Sequence, residues 1–239
     1  MDIIRLKEIN STNDYVKQNI QALPNLTAVY ADRQTSGRGR LERKWIDTGD
    51  DNLYLTIVLK PFKTINPIYS NFTQYLSVIL VMLLEEEYNL SPKIKWPNDV
   101  IINGKKVAGI LAEGTTKGGE FLGLALGIGV NLNTTKEELS IIDKPATSIF
   151  NETGQYINKI EFLEKLLSKF CLLYDKFIVE GFPFIKKYYE SRANFINKNI
   201  TINVLGKLHS GIAEGISDDG SLLLKEDKTT SVYFIGDIL

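Results

Sequence analysis

Apolar and polar positions alternate along the first 195 residues in patterns that predict a mixture of helices and strands. Ser11 and Thr12 precede a short amphipathic stretch, and one of them is expected to cap a helix that ends near Pro24. Apolar residues at helical spacing predict helices from 66 to about 88 and over 159–196. Compact apolar runs bounded by turn residues predict strands, at 26–31, 53–59, 93–96, 100–102, 107–112 and 121–131.

Turn signals separate these elements, and the pattern changes near residue 195. Asn103-Gly104 predicts a tight hairpin turn, and the polar, glycine-containing segment 32–45 is expected to be a long loop. Beyond residue 195, short strands separated by polar turns are typical of a small β-barrel. We therefore expect two domains, over residues 1–195 and 196–239.

The composition narrows the chemistry that the chain can carry out. The 28 Lys and Arg against 29 Asp and Glu give a net charge of −1, which argues against bulk nucleic acid as the main partner. Cys171 and His209 are single, so disulfides, cysteine metal clusters and His-dependent triads are not expected. The longest apolar run, near 76–84, is too short for a bilayer span, and no signal peptide is evident. We expect a cytoplasmic protein without a membrane partner.

A basic loop carries the most informative motif. Residues 34–45 read Gln-Thr-Ser-Gly-Arg-Gly-Arg-Leu-Glu-Arg-Lys-Trp. Glycines let the backbone approach a ligand closely, and arginines pair well with phosphate or carboxylate groups. On this motif alone a solvated basic loop is the better explanation, because short glycine-rich matches are weak evidence.

Three further segments carry polar groups near strand ends. Lys95-Trp96-Pro97-Asn98-Asp99 can present a lysine and a carboxylate to a metal-bound phosphate, or can be an ordinary turn. Lys106 opens an apolar strand and is expected to point into a cleft, whereas Lys105 faces solvent. Alternate glycines in Gly127-Ile128-Gly129-Val130-Asn131 indicate close approach of a ligand, or tight packing against a helix.

Together these segments resemble the biotin protein ligases, which attach biotin to carboxylase carrier domains. Five family patterns occur in order: Ser-Thr-Asn, Gln-x-x-Gly-Arg-Gly-Arg-x-x-Arg-x-Trp, Lys-Trp-Pro-Asn-Asp, Lys-x-Ala-Gly-Ile-Leu and Gly-x-Gly-x-Asn. The resemblance implies an α+β fold: a mixed, largely antiparallel sheet flanked by helices (a class II synthetase-like domain), then a small SH3-like β-barrel. It also implies ATP-dependent formation of biotinyl-5′-AMP with release of pyrophosphate, and transfer of biotin to a lysine of a carboxylase carrier domain.

The same resemblance implies roles for individual residues. The implied biotin-binding residues are Ser11, Thr12, Asn13, Gln34, Gly37, Arg38, Gly39, Arg40, Lys106 and Gly109. The implied ATP-binding residues are Arg38, Arg40, Arg43, Lys95, Asn98, Asp99 and Asn131. Lys106 and Arg40 are the implied catalytic residues, and Mg²⁺ is expected to arrive on the ATP phosphates, near Asp99. Trp45 suits a pocket wall and a core position equally well.

Two departures from the family limit these implications. Only ten residues precede Ser11, so a DNA-binding domain and a DNA partner are not expected. Glu214 stands where some relatives carry a basic residue, which puts a nucleotide contact from the barrel in doubt. The family includes monomers and dimers, so a homodimer stays open.

Three alternatives follow from the same residues. A lipoate-type ligase shares the fold and the adenylation chemistry but has different loop patterns. A single-strand nucleic-acid-binding module would use the loop from Arg33 to Lys44, although only Trp45 supplies an aromatic ring there. A biotin binder without catalysis is the third, and the presence of Arg43 and Lys106 argues against it.

Overall fold

A computed structural model describes residues 1–40, 43–49, 51–60 and 69–239. The strands are, in chain order, β1 (Ile3–Ile9), β2 (Ala28–Gln34), β3 (Leu53–Leu59), β4 (Lys93–Lys95), β5 (Asp99–Ile102), β6 (Lys105–Lys117), β7 (Glu120–Val130), β8 (Asn199–Val204), β9 (Lys207–Ile216), β10 (Leu222–Glu226), β11 (Thr229–Tyr233) and β12 (Asp237–Ile238). The helices are α1 (Thr12–Gln18), α2 (Asn71–Tyr88), α3 (Lys136–Leu139), α4 (Ile149–Thr153), α5 (Lys159–Glu180) and α6 (Phe182–Arg192).

The chain divides into two compact units, each made of two stretches of sequence. The first unit takes residues 1–64 and 102–167, and the second takes residues 65–101 and 168–239. In the first unit, five strands lie side by side in the order β1, β2, β3, β7, β6. β1 and β2 run parallel, whereas the other three neighbouring pairs run antiparallel. The prediction of a mixed, largely antiparallel sheet is therefore confirmed.

Strand β3 lies at the centre of these five strands, and its sequence explains why. All of its residues are buried, and all but Thr56 are apolar. An antiparallel strand covered on both faces has such a continuous apolar run, whereas a strand with one wet face alternates. β1 was not expected from the sequence, because its charged residues interrupt its apolar ones and leave it partly exposed.

Helix α1 packs against strands β2, β3, β7 and β6 of this sheet. The Ser11 hydroxyl oxygen accepts the Asp14 backbone N–H at 3.4 Å, so Ser11 is the helix cap, and it is one of the two residues that were predicted for this position. The helix ends at Gln18, well before the expected end near Pro24. Val16 packs in one cluster with Val58 of β3 and with neighbouring apolar residues. This packing fixes the first turn of α1, and so its polar residues, above the sheet.

The second unit contains helices, a hairpin and a separate all-β part. The start predicted for α2, at 66, lies outside the described residues, and the helix continues to Tyr88 as expected. The single helical stretch predicted over 159–196 is broken at Gly181, whose φ of 71° is easiest for glycine. Aromatic rings form the core here, and the Tyr75 and Phe177 rings stack with centroids 4.3 Å apart.

The end of the chain is all β, as predicted. Strands β8 to β12 form an antiparallel sheet in the order β11, β10, β9, β8, β12. The short strand β12 was not expected from the sequence, because two residues are too few to show the alternation of apolar and polar positions that indicates a strand. In the part of the chain that the structure describes, no helix is both long enough and apolar enough to cross a membrane.

Candidate ligand-binding site

Three glycines leave part of one sheet face without side chains. Gly109 of β6 lies directly opposite Gly129 of β7, and Gly127 is opposite Leu111 in the next row. A Cβ atom on Gly129 would lie 2.5 Å from Cε2 of Trp45, and one on Gly127 would overlap Oδ1 of Asn13. Any larger residue would therefore push these two side chains away from the sheet. The alternate glycines serve close approach, here by side chains of the same chain.

The basic loop brings Trp45 to this face. The Trp45 backbone N–H donates to the Gly37 carbonyl at 2.9 Å, and the Gly39 N–H donates to the Arg43 carbonyl at 2.7 Å. The expected long loop is therefore a narrow hairpin in its described part. The indole lies against Gly109, at 2.9 Å from the position of an added Cβ, and its buried Nε1 has no hydrogen-bond partner among the described residues. Trp45 is half-buried, and the choice between a pocket wall and a core position stays a prediction.

Gly37 and Gly39 differ in the space around them, which gives a matched pair of variants. A Cβ on Gly37 would lie 2.7 Å from the Trp45 backbone oxygen, whereas one on Gly39 would meet nothing closer than 3.5 Å. We expect Gly37→Ala to lower the free energy of unfolding by about 1–3 kcal/mol, because backbone must move. Gly39→Ala is expected to change it by less than about 0.5 kcal/mol. Urea unfolding of both variants checks this, and equal losses would contradict it.

Thr12 and Gln34 form a buried pair beside the first turn of α1. Oε1 of Gln34 accepts the Thr12 backbone N–H at 2.8 Å and lies 3.0 Å from the Thr12 hydroxyl. A backbone N–H can only donate, so the Gln34 oxygen must face Thr12. The Gln34 amide nitrogen then turns towards Gly37, at 3.1 Å from the position of an added Cβ. Gln34 therefore offers a donor on the loop side.

Asn13 is the centre of a second buried network. Its Nδ2 donates to Oε2 of Glu113 at 2.9 Å and to the Leu111 carbonyl at 3.2 Å. The Thr56 hydroxyl lies 2.7 Å from Asn13 Oδ1 and 2.8 Å from Thr12 Oγ1. Its single hydrogen can be donated to either of these two oxygens. Thr56 is fully buried and Asn13 is 5% exposed. The two networks thus meet at Thr56.

Glu113 joins this network to charged groups. Its carboxylate accepts hydrogen bonds from Lys17 at 2.8 Å and from Arg38 at 3.2 Å. Arg38 also pairs with Asp14. Burial alone would raise the pKa of Glu113, but hydrogen bonds from Lys17 and Asn13, with the charges of Lys17 and Arg38, outweigh it and lower the pKa. The Glu113 carboxylate therefore stays ionised at neutral pH.

Lys106 and Asn131 lie at neighbouring strand ends. The Lys106 side chain is half-buried, with Nζ 5.4 Å from the Trp45 ring centroid, whereas Lys105 is exposed as expected. The Lys106 backbone pairs with Pro145 and Thr147, and the Asn131 amide donates to the Thr147 carbonyl at 3.0 Å. The segment 145–147, which was not singled out in the sequence, therefore holds both residues.

The other candidate residues are placed as follows. Lys95 and Asp99 lie opposite each other on β4 and β5 in the second unit, with Asn98 in the turn between them. All three side chains are half-buried. Arg40 and Arg43 lie on either side of positions 41 and 42, which the structure does not describe, and the Arg43 N–H donates to the Arg40 carbonyl at 3.2 Å.

Two residues of the network were missed in the sequence, and one of them had a visible signal. Thr56 is a polar residue in the middle of an apolar strand, where a buried hydroxyl needs a partner. In the sequence, Glu113 directly follows an apolar run, as a charged residue after a strand commonly does. The neighbouring residues therefore gave no sign that it takes part in the network. Its contact with Asn13 joins positions 100 residues apart.

Comparison with known proteins identifies the family of this chain. The biotin/lipoate A/B protein ligase family matches residues 6–131, and the biotin protein ligase C-terminal domain matches residues 195–237. The first match covers more than half of the chain, so the chain belongs to the biotin/lipoate A/B protein ligase family. The resemblance to biotin protein ligases found in the sequence is confirmed, while the division into 1–195 and 196–239 stays a prediction.

Individual relatives agree with this assignment. The bifunctional ligase/repressor BirA of Bacillus subtilis is 32% identical over 216 residues, and the match spans 90% of this chain but only 66% of that protein. The biotin–[acetyl-CoA-carboxylase] ligase of Paracoccus denitrificans is 32% identical, with 92% of each chain covered. The structure of the Aquifex aeolicus biotin protein ligase in complex with biotin and ATP is 29% identical, with a TM-score of 0.86 over 100% of this chain and 97% of that chain.

Proposed function

We propose that this chain activates biotin with ATP and transfers the biotinyl group to a lysine of a carboxylase carrier domain. The observation that carries the proposal is the polarity of the two buried amides. Gln34 turns a donor towards the loop, and Asn13 keeps an acceptor, Oδ1, above Gly127. The ureido ring of biotin has both N–H donors and a carbonyl acceptor, so it complements this pair.

The same polarity argues against lipoate, the main alternative within the family. The dithiolane ring of lipoate has no N–H group to offer to Asn13 and no strong acceptor for Gln34. A site built to hydrogen-bond its substrate rejects an analogue that leaves buried polar groups unpaired. Thr12 and Ser11 stand beside this pair at the start of α1, which supports their part in holding the ring.

The first chemical step joins two anions. A biotin carboxylate oxygen attacks the α-phosphorus of ATP, the bond to the β-phosphate oxygen breaks, and pyrophosphate leaves with the negative charge. Fixed positive charge stabilises such a transition state. Lys106 beside Trp45, with Arg38, Arg40 and Arg43 of the hairpin, supplies that charge in this proposal.

Magnesium and the nucleotide belong to the same proposal. Mg²⁺ prefers oxygen ligands and is held by one or two carboxylates together with ATP phosphates. Asp99 and Asn98 offer such oxygens. Asp99 would hold the ion, which shields phosphate charge when bound. Nucleotide contacts by Lys95 and by Asn131 stay predictions from the sequence resemblance.

The second step transfers the acyl group. The carrier lysine amine attacks the acyl carbonyl, the bond to the phosphate oxygen breaks, AMP leaves and the amine loses a proton. A cytoplasmic location, where ATP and the carboxylase are found, is part of the proposal. The homodimer and the lack of a DNA partner stay predictions.

The proposal is tested by ATP–pyrophosphate exchange with biotin or lipoate supplied separately. We expect exchange with biotin and a rate at least ~100-fold lower with lipoate, because the buried amides would be left unpaired. A carrier domain added afterwards should become labelled only in the biotin reaction. Equal exchange with both acids, or exchange with lipoate alone, would overturn the assignment to biotin.

A further inference from the structure

The Asn13 carboxamide has a single favourable orientation, because both groups around its nitrogen can only accept hydrogen bonds. These groups are the Glu113 carboxylate, at 2.9 Å, and the Leu111 carbonyl, at 3.2 Å. Rotating the amide by half a turn would place its oxygen against two acceptors. Oδ1 is therefore held on the side of the Thr56 hydroxyl and Gly127.

The Glu113 carboxylate contributes more than the Leu111 carbonyl to the orientation of the Asn13 amide. The Leu111 carbonyl belongs to strand β6, which is paired along its length with β7, whereas the Glu113 carboxylate carries full charge and makes the shorter contact with Asn13. Hydrogen bonds to charged groups are about twice as strong as those between neutral groups. Loss of this acceptor would leave the buried Asn13 amide free to take the wrong orientation.

The Glu113 side chain is held in place for its hydrogen bond with Asn13. It stands on a strand, and Lys17 and Arg38 hold its two oxygens from the side of α1 and of the hairpin. It does not occupy the row of the sheet face that holds Gly127, because Glu113 pairs with Ala125 one row further along. Its influence on a ligand near Gly127 would therefore pass through Asn13 or through Arg38.

We infer that Glu113 is a positioning residue for biotin recognition, which orients the Asn13 carboxamide so that only its oxygen faces the ureido ring. The inference rests on the proposed function. Asn13 then accepts a hydrogen bond from a ureido N–H, while its own two N–H groups are used inside the protein. The discrimination between a ureido ring and a ring without donors depends on a carboxylate that lies outside the ligand-contacting residues implied by the sequence.

A double-mutant cycle in the exchange assay tests this inference. Glu113→Ala is expected to raise the KM for biotin by about 10-fold or more, the effect of leaving a buried polar group unpaired. An effect that passes through Asn13 should change the KM for ATP and kcat by less than about 3-fold each, because it is confined to ground-state binding of biotin. An effect that passes through Arg38 would change these two parameters as well, because Arg38 is one of the charges proposed for ATP binding. In the Asn13→Ala background, Glu113→Ala should change the biotin KM by less than about 2-fold, because the two residues act as one unit.

Two control variants separate amide orientation from general effects of charge. Glu113→Gln keeps an oxygen acceptor for Asn13 and should raise the biotin KM less than Glu113→Ala does. Lys17→Met removes the half-buried ion pair with Glu113 but leaves the Asn13 contact, and Arg38 still donates to both Glu113 oxygens. It should therefore change the biotin KM by less than about 3-fold. If Glu113→Ala does not fold, as judged by its unfolding temperature, the biotin KM of Glu113→Gln is compared with that of Lys17→Met instead. A larger rise in Glu113→Gln supports the positioning role, and a rise at least as large in Lys17→Met overturns it.

Different experimental results would overturn the positioning role of Glu113 and the proposed function. Additive effects of Glu113→Ala and Asn13→Ala on the biotin KM, or an effect of Lys17→Met as large as that of Glu113→Ala, would overturn the positioning role while the wild-type protein still uses biotin. No exchange with biotin in the wild-type protein would overturn the proposed function, and the inference with it.

Discussion

Replacing Lys106 with Ala is expected to lower the rate of biotin-dependent pyrophosphate exchange by at least ~100-fold, since fixed charge at a reacting centre contributes that much. The half-buried Lys106 ammonium lies 5.4 Å from the Trp45 ring centroid, at the edge of the glycine-lined face. The loss should fall mainly on kcat, because the charge that it stabilises develops in the transition state.

Lys105→Ala is the matched control, because it removes the same side chain one residue earlier. Lys105 is exposed, and adjacent residues of a strand point to opposite faces. Its exchange rate should stay within about 2-fold of the wild-type rate, as for most exposed substitutions. Equal losses in the two variants would show that general positive charge, rather than the Lys106 position, supports the reaction.

Gly127→Ala is expected to raise the KM for biotin by about 10-fold to 100-fold, with a smaller change in kcat. The added methyl group would overlap the Asn13 carboxamide, and the cost of such overpacking is about 1–3 kcal/mol. Asn13 would be pushed off its contacts with Thr56 and Glu113. Steady-state exchange at varied biotin concentration measures this effect.

Gly114→Ala is a suitable control for the Gly127 variant. Gly114 lies on β6 of the same sheet, and an added Cβ would meet only the Phe121 ring, at 3.1 Å, which can rotate away. The biotin KM of this variant should be close to the wild-type value. An unchanged biotin KM in Gly127→Ala would mean that Asn13 is not needed where the structure places it.

The sequence predicted the central strands well and the edges poorly. Strand β3 matches its predicted range of 53–59, because a fully buried strand leaves a continuous apolar run. β1 was missed, since an exposed strand at an edge has little apolar pattern. The break between α5 and α6 was missed as well, because apolar spacing continues through Gly181 and a single glycine does not by itself end a helix.

The candidate site was only partly predictable for a different physical reason. Ordered motifs indicated which segments carry chemistry, but motif spacing holds no information on side-chain contacts between distant segments. The hydrogen bonds of Asn13 to Glu113 and to Thr56 join residues 100 and 43 positions apart. Their existence depends on strand register, which places Thr56 opposite Gly127 and Gly127 opposite Leu111.

The sheet face formed by Gly109, Gly127 and Gly129 links substrate supply to heat resistance. Trp45 and Asn13 lie directly on these glycines, so a substrate would bind beside the two side chains rather than on the glycines themselves. Protein interiors are close-packed, and such a substrate would fill space next to Trp45 and Asn13 in the folded chain, whereas it has no counterpart on the unfolded chain. Under the proposed function, biotin raises the melting temperature in proportion to the logarithm of its concentration, once that concentration exceeds its dissociation constant. In a cell short of biotin, the same enzyme would be the more easily unfolded and degraded one.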